Sequence, residues 1–349
     1  MEWSQIKRRQ SDTYSGWCAI VGAPRCGTTS LARYLGGHPA VCAANVKEPH
    51  FFSRRKLNTL PEITRLAAIQ SEYVDHFFPH KRNDQLLLDG SVSYLYAPYR
   101  LKPALEAWPD ARFIIAVRNP LEMLPSLHLR HVCNGDEDET TFERAWALIE
   151  ERRQGKGIPR TCVDPRLLDY AEIGRLGKYL GKFFDIVGRE RCFVSVFDDL
   201  VADPAKQYQS VLEFLNLADD ERDSFQPFRA STGIRSVHLQ RWLKRPPIAR
   251  TLIASEASLR REGISAEKRI RAIPGVDSLK SLRKRLLKWN RTGAPSLVLS
   301  PELRSEMCAR FKDDVSELSS LLDRDFSQWV ADESERTAFS SAVLKVSAA

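Results

Sequence analysis

The chain has 349 residues, 43% hydrophobic and 28% charged, with 53 Lys+Arg against 45 Asp+Glu for a net charge of +8. That excludes a disordered or fibrous chain and a small disulfide scaffold, and it allows one large domain or two ordinary ones. The cation excess points to an anionic partner without distinguishing nucleic acid, phosphate cofactor, acidic glycan or membrane surface.

In chain order, the N-terminal MEWSQIKRRQ has no apolar stretch behind its charges and does not read as a secretory signal. A first strand is predicted at 17–21 (WCAIV), then a glycine-containing loop and a helix at 28–36. Strands at 85–88, 112–117 and 192–197 alternate with helices at 99–108, 121–132, 140–153, 167–187 and 204–216. The last helix, 301–322, has Leu303, Met307, Phe311, Val315, Leu318 and Leu322 at helical spacing and Pro301 in its first turn. Alternating strands and helices imply an α/β fold, P-loop-like, with a central parallel β-sheet flanked by helices and a basic helical insertion. With no repeat and no Gly/Ser linker, the expectation is one domain over 1–349: core about 16–234 and 300–330, basic helical segment 235–299, tail 331–349. No apolar run approaches the roughly 20 residues of a membrane span. The seven cysteines form no CxxC pair and leave an odd count, as expected of reduced thiols in the cytoplasm.

The first loop reads Gly22-Ala-Pro-Arg25-Cys26-Gly27-Thr28-Thr29-Ser30 between a strand and a helix. Such a turn aims successive backbone N–H groups and a helix N-terminus at an anion, the requirement for holding a phosphate. A nucleotide-triphosphatase loop would place Lys before its Ser/Thr; Thr28 stands there instead, and Arg25 is the loop's cation. A ligand-free tight turn is the plain alternative. A second anchor closes the strand ARFIIAV: Arg118-Asn119-Pro120, followed eight residues after the arginine by Ser126. An arginine at a strand's C-terminal end and a hydroxyl on the next helix could grip one phosphate, although a capping or salt-bridging role would also suit Arg118.

The stretch GAPRCGTTSLARYLGGHP followed by KEPHFF resembles the sulfotransferases that use 3′-phosphoadenosine 5′-phosphosulfate (PAPS), in particular their bacterial and glycan-type members. DGSVSYLY (89–96), TFERAWAL (141–148), VFDDLVADP (196–204) and LSSLLDRDFSQW (318–329) look like later landmarks, so the likeness covers about 16–330 and is weakest over 235–300. It implies that residues 25–30 bind the 5′-phosphosulfate, with Arg25 where the family most often has Lys. Arginine keeps the charge as a planar fork rather than a point donor. It further implies that Arg118 and Ser126 hold the 3′-phosphate, that Arg235 in the late loop RASTGIRS closes over it, and that Glu48 is the general base with His50 as helper or rival. Apolar Pro49, Phe51 and Phe52 should dry the carboxylate and raise its proton affinity. Two departures are Met123, where many members have Arg, and Gly90, where glycan-sulfating members have Lys, so no lysine role carries over there. Sulfuryl transfer needs no metal, and the sequence has no HExxH, Cys/His cluster or aspartate-rich loop.

The expected activity is therefore transfer of a sulfuryl group from PAPS to an acceptor hydroxyl of a carbohydrate, glycolipid or other small metabolite. A P-loop nucleotide kinase and a catalytically silent adenosine-bisphosphate-binding protein stand beside it as alternatives. Residues 235–291 hold 16 Lys+Arg and four acids, a net +12 that leaves the remaining chain at −4. Solvated helix faces, a rim for an acidic acceptor, or an anionic membrane surface would each use such a segment, the last making a cytoplasmic protein peripheral at the inner membrane surface. No motif suggests nucleic acid.

Overall fold

A computed structural model describes residues 16–226, 233–244, 276–293 and 298–331. The N-terminal decapeptide, Arg229, the tail after 331 and the stretch 245–275 of the basic segment lie outside the described residues. The chain divides into two compact units, one containing residues up to Arg118 and Lys182–Arg229, the other Asn119–Gly181, Ala230–Ile248 and Ser278 onward.

The first unit is built on a five-stranded, all-parallel sheet: β1 (Trp17–Ile20), β2 (Val41–Ala43), β3 (Leu86–Asp89), β4 (Arg112–Val117) and β5 (Cys192–Val196), in the order β2-β3-β1-β4-β5. β1 lies in the middle of the sheet and all four of its residues are buried, which is why it reads as a continuous apolar run rather than an alternation. This is the P-loop-like α/β architecture expected, with β2 added: three residues, VCA, are too few to register as a strand pattern. Trp17 anchors the core, stacked on Trp108 at 5.6 Å and edge-on to Phe52 and Phe113. Helix α1 (Thr28–Gly36) follows β1, and the short α2 (Phe51–Arg54) follows β2.

The second unit is mainly helical. Helix α3 (Pro120–Asn134) begins at Asn119, whose side chain accepts from the Leu121 N–H, and ends at Gly135 in the left-handed region. The predicted helix at 140–153 is two pieces, Phe142–Ala147 and Ile149–Arg153. The one at 167–187 is broken before α4 (Leu176–Val187): a Cβ on Gly174 would lie 2.6 Å from the Phe311 ring, so the chain turns where that ring packs. In the first unit α5 (Phe197–Ala202) and α6 (Pro204–Leu215) follow β5. The second unit continues with α7 (Val237–Lys244), α8 (Val276–Trp289) and α9 (Pro301–Leu322); β6 (Gly233–Ile234) and β7 (Arg291–Thr292) pair antiparallel. α9 starts at the Ser300 cap and has the bounds read from its periodicity. Among the described residues, no helix is long and apolar enough to cross a membrane. None of the seven cysteines is in a disulfide.

Candidate active site

The loop after β1 runs on beside β4, with Val21 N donating to Ile114 O (2.9 Å) and Ala23 N to Ala116 O (2.8 Å). A Cβ on Gly22 would fall 2.8 Å from Ile115 Cγ2 and 3.3 Å from Ala116 N, so only glycine lets the loop lie this close to the neighbouring strand. Arg25 and Gly27 both have positive φ (68° and 84°). Gly27 has no Cβ because α5 packs there: the missing atom would meet Leu200 Cδ2 at 2.5 Å and Phe197 at 3.3 Å. Ser30 and Leu31 return their N–H groups to Gly27 O (2.9 and 3.2 Å), whereas those of Thr28 and Thr29 have no backbone carbonyl partner among the described residues. These are the unspent donors of a helix start, and α1 carries no side-chain cap over them. Cys26 contributes backbone only: burial pushes its thiol far above the usual range, against the opposing pull of Arg118 and Arg25.

Arg118, one residue past β4, lies over the Phe197 ring at 4.2 Å and donates from Nη1 to Arg25 O at 3.4 Å. The strand ends of β1 and β4 thereby bring Arg25, Cys26, Gly27, Thr28, Thr29, Ser30 and Arg118 into one cationic, donor-rich corner. Phe197, which the sequence reading overlooked, is the platform of that corner. Ser126 is buried in α3 and Arg235 is exposed with its guanidinium 5.4 Å from the Trp289 ring centre; both belong to the second unit.

The second cluster follows β2. Phe51 stacks on Tyr73 at 5.0 Å and Phe52 sits edge-on to it at 4.9 Å, so the aromatic pair anchors the segment in the core. His50 takes φ 55°, a strained value for a non-glycine residue, and reverses the chain just before α2. Glu48, 26% exposed at its side chain, contacts Lys47 Nζ through Oε1 (2.8 Å) and His50 Nε2 through Oε2 (3.5 Å). His50 Nδ1 lies 2.8 Å from Ser93 Oγ, which is also 2.8 Å from Ser53 Oγ. With Nε2 carrying the ring proton toward Glu48, Nδ1 accepts from Ser93.

The expected rise in Glu48 proton affinity is not what the structure has. Burial does push the carboxyl up, but the hydrogen bond from His50 and the positive Lys47 outweigh it, leaving Glu48 well below the usual carboxylate range. The apolar flank was visible in the sequence; the two partners that oppose it come from the αL turn at His50 and from the lysine folding back on its neighbour.

Beneath this cluster lies a buried scaffold. Asp89, at the end of β3 and fully buried, accepts from Tyr73 OH, Tyr94 OH (both 2.8 Å) and Ser91 N (2.9 Å). Trp17 Nε1 donates to Tyr73 OH (2.8 Å), and Ser91 Oγ accepts from His50 N (2.8 Å), so a chain of hydrogen bonds runs from β1 to the base of His50. Burial raises the Asp89 proton affinity and the three donors pull it back. Gly90 is fixed by the same packing, since a Cβ would stand 2.6 Å from Lys47 O. Alternating hydroxyls Ser91 and Ser93 after an acidic strand end were the only sequence hint of this support.

Among the described residues no group of three or more His, Cys, Asp or Glu could hold a metal ion. Residues 18–148 match a family model described as "Sulfotransferase family". The chain is 24% identical over 263 residues to carbohydrate sulfotransferase 15 of Mus musculus, covering 62% of this chain and 47% of that protein. The human protein of the same name is 23% identical over 242 residues, 57% of this chain and 43% of it. The chain thus spans about half the length of the curated relatives it matches. A sulfotransferase structure from Alicyclobacillus acidocaldarius shares the fold with a TM-score of 0.58 at 24% identity, covering 90% of this chain and 98% of that one. These matches make residues 18–148 similar to the sulfotransferase family and give the chain a fold shared with a sulfotransferase structure.

Proposed function

We propose that the chain transfers a sulfuryl group from PAPS to an acceptor hydroxyl, with a carbohydrate as the acceptor class. The observation that carries the reading is the cationic corner of the first unit: orphan N–H groups at Thr28 and Thr29, Arg25 in the loop, and Arg118 held over Phe197. The cradle fits phosphate-type anions, because Gly22 and Gly27 stand where a side chain would collide with the loop's packing. When bound, PAPS supplies the sulfuryl group and a phosphate leaving group. Arg25 and the loop amides hold negative charge at the phosphosulfate end, and Arg118 selects for the 3′-phosphate. Ser126 and Arg235 keep the phosphate-binding roles that the resemblance implies, each open to its own alanine test. The likeness to carbohydrate sulfotransferases supports a carbohydrate acceptor.

Glu48 is the base in this proposal, accepting the acceptor hydroxyl's proton as the oxygen attacks sulfur. Lys47 and His50 keep it ionised at neutral pH, at the cost of lower basicity. An acceptor that displaces the half-exposed Lys47 Nζ would restore basicity, while His50, held by Ser93, fixes the carboxylate's orientation. The test has two arms. Radiolabelled sulfate transfer from PAPS is screened over glycans, glycolipids, phenols and steroids, and binding of adenosine 3′,5′-bisphosphate is compared with that of 5′-AMP. Transfer together with a preference for the bisphosphate is expected. Equal binding of both nucleotides would remove Arg118 from the 3′-phosphate, and bisphosphate binding with no transfer to any acceptor would favour the silent binder.

A further inference from the structure

Helix α8 of the second unit is two-faced. Its inner side is spent on the unit itself: Leu286 and Leu287 are half-buried, Arg283 Nε donates to Leu243 O (2.7 Å), and the fully buried Asn290 beyond its end donates to Ser236 O (2.9 Å) and Gln240 Oε1 (3.1 Å). The outer side leaves two large apolar side chains in water, Leu282 at 53% and Trp289 at 59% exposure. Leu282, Arg285 and Trp289 fall at i, i+3 and i+7, one stripe of the helix, with exposed Lys288 and, farther round, Lys284 bordering it on the Arg285 side. Arg235 adds its guanidinium above Trp289. Positive charge is concentrated around the same helix: after burial, the crowd of Arg130, Arg283 and Arg291 is what lowers the proton affinity of Lys244.

From this arrangement we infer that the outer face of α8 docks on an anionic lipid surface, with Leu282 and Trp289 entering the headgroup layer and Lys284, Arg285 and Lys288 meeting lipid phosphates. Apolar anchors inside a frame of lysines and arginines are what an interfacial helix needs. A soluble acidic glycan would use the cations, but Leu282 offers nothing to a sugar hydroxyl or sulfate, and a convex helix face suits a plane better than a flexible polyanion. The inference is independent of the proposed sulfuryl transfer.

The experiment is co-sedimentation of the full chain with phosphatidylcholine vesicles, with and without roughly a third of phosphatidylserine. Binding is expected to the anionic vesicles alone, and to be lost at about 0.5 M salt, where charges are screened within about 4 Å. Lys284→Ala/Arg285→Ala/Lys288→Ala should weaken partitioning about a hundredfold, and Leu282→Ser/Trp289→Ser about tenfold or more. Both variants change exposed positions, and an unchanged melting temperature verifies their fold. Failure of the parent to bind anionic vesicles at low salt overturns the inference, as does parental binding by the Leu282/Trp289 variant. So does retention on a heparin resin without vesicle binding, which would give the cations to a soluble glycan.

Discussion

Glu48→Gln isolates the chemistry from the architecture. The amide keeps the carboxylate's shape and its one oxygen can still accept from Lys47, while its NH2 group gives up the acceptor that faced His50; the turn at His50, held by Ser91 and Ser93, should persist. What disappears is the proton acceptor, and loss of a general base costs about 10²–10⁴ in turnover, or about 3–5 kcal/mol of barrier. The structure adds a pH signature. Glu48 is held ionised well below the usual carboxylate range, so in the free enzyme its basic form is already fully populated throughout the neutral range. kcat/KM of the parent should therefore show no acid limb from Glu48 between about pH 5 and 9. The assay is steady-state sulfate transfer over that range for parent, Glu48→Gln and His50→Asn, with bisphosphate affinity measured by calorimetry. Turnover of Glu48→Gln should collapse while the bisphosphate Kd stays within about twofold. A loss of turnover below about threefold would refute the assignment. So would activity in Glu48→Gln that is abolished by His50→Asn, because the base would then be the imidazole.

Three further predictions concern stability and the loop. Gly27→Ala forces a Cβ to within 2.5 Å of Leu200 Cδ2 at φ 84°; it should lower stability by about 2–3 kcal/mol in urea unfolding and weaken bisphosphate binding, whereas unchanged values of both would mean the loop is not pinned by α5. His131 is buried with neither ring nitrogen paired among the described residues, and burial lowers its proton affinity to about 4. Since its ordinary value is about 6.5, the unfolded chain binds the extra proton first as pH falls, so stability should drop by about 2 kcal/mol between pH 7 and 5 and level off below about 4. His131→Leu should remove that part of the pH slope, and an unaltered slope would show that the ring is already protonated or reached by water. Glu137, completely buried, accepts from Arg152 Nη1 (2.8 Å) and Nη2 (2.7 Å) and from Tyr170 OH (3.0 Å). Glu137→Ala strands the Arg152 charge and should cost about 3–5 kcal/mol, largely recovered by the double change with Arg152→Met; a cost under about 1 kcal/mol would mean that water reaches the pair.

The sequence by itself determined what is encoded over short distances. Strand β4 and helices α1 and α9 have the bounds their patterns predict, because a buried parallel strand is a run of apolar β-formers and a helix repeats every three or four residues. The phosphate-loop candidate was legible for the same reason: glycines, a cation and hydroxyls follow one another along the chain. Tertiary structure alone decided the strand order β2-β3-β1-β4-β5, and with it the meeting of Arg118 and the Arg25 loop from points 93 residues apart. It decided that Phe197 would carry Arg118 and that Asp89, Ser91 and Ser93 would brace His50, contacts between elements that no local pattern records. The sign of the Glu48 shift belongs to the same class. Neighbouring apolar residues in the chain predict desolvation, but a carboxylate's proton affinity is also set by the donors and charges that reach it in space, here the hydrogen bond from His50 and the ammonium of Lys47.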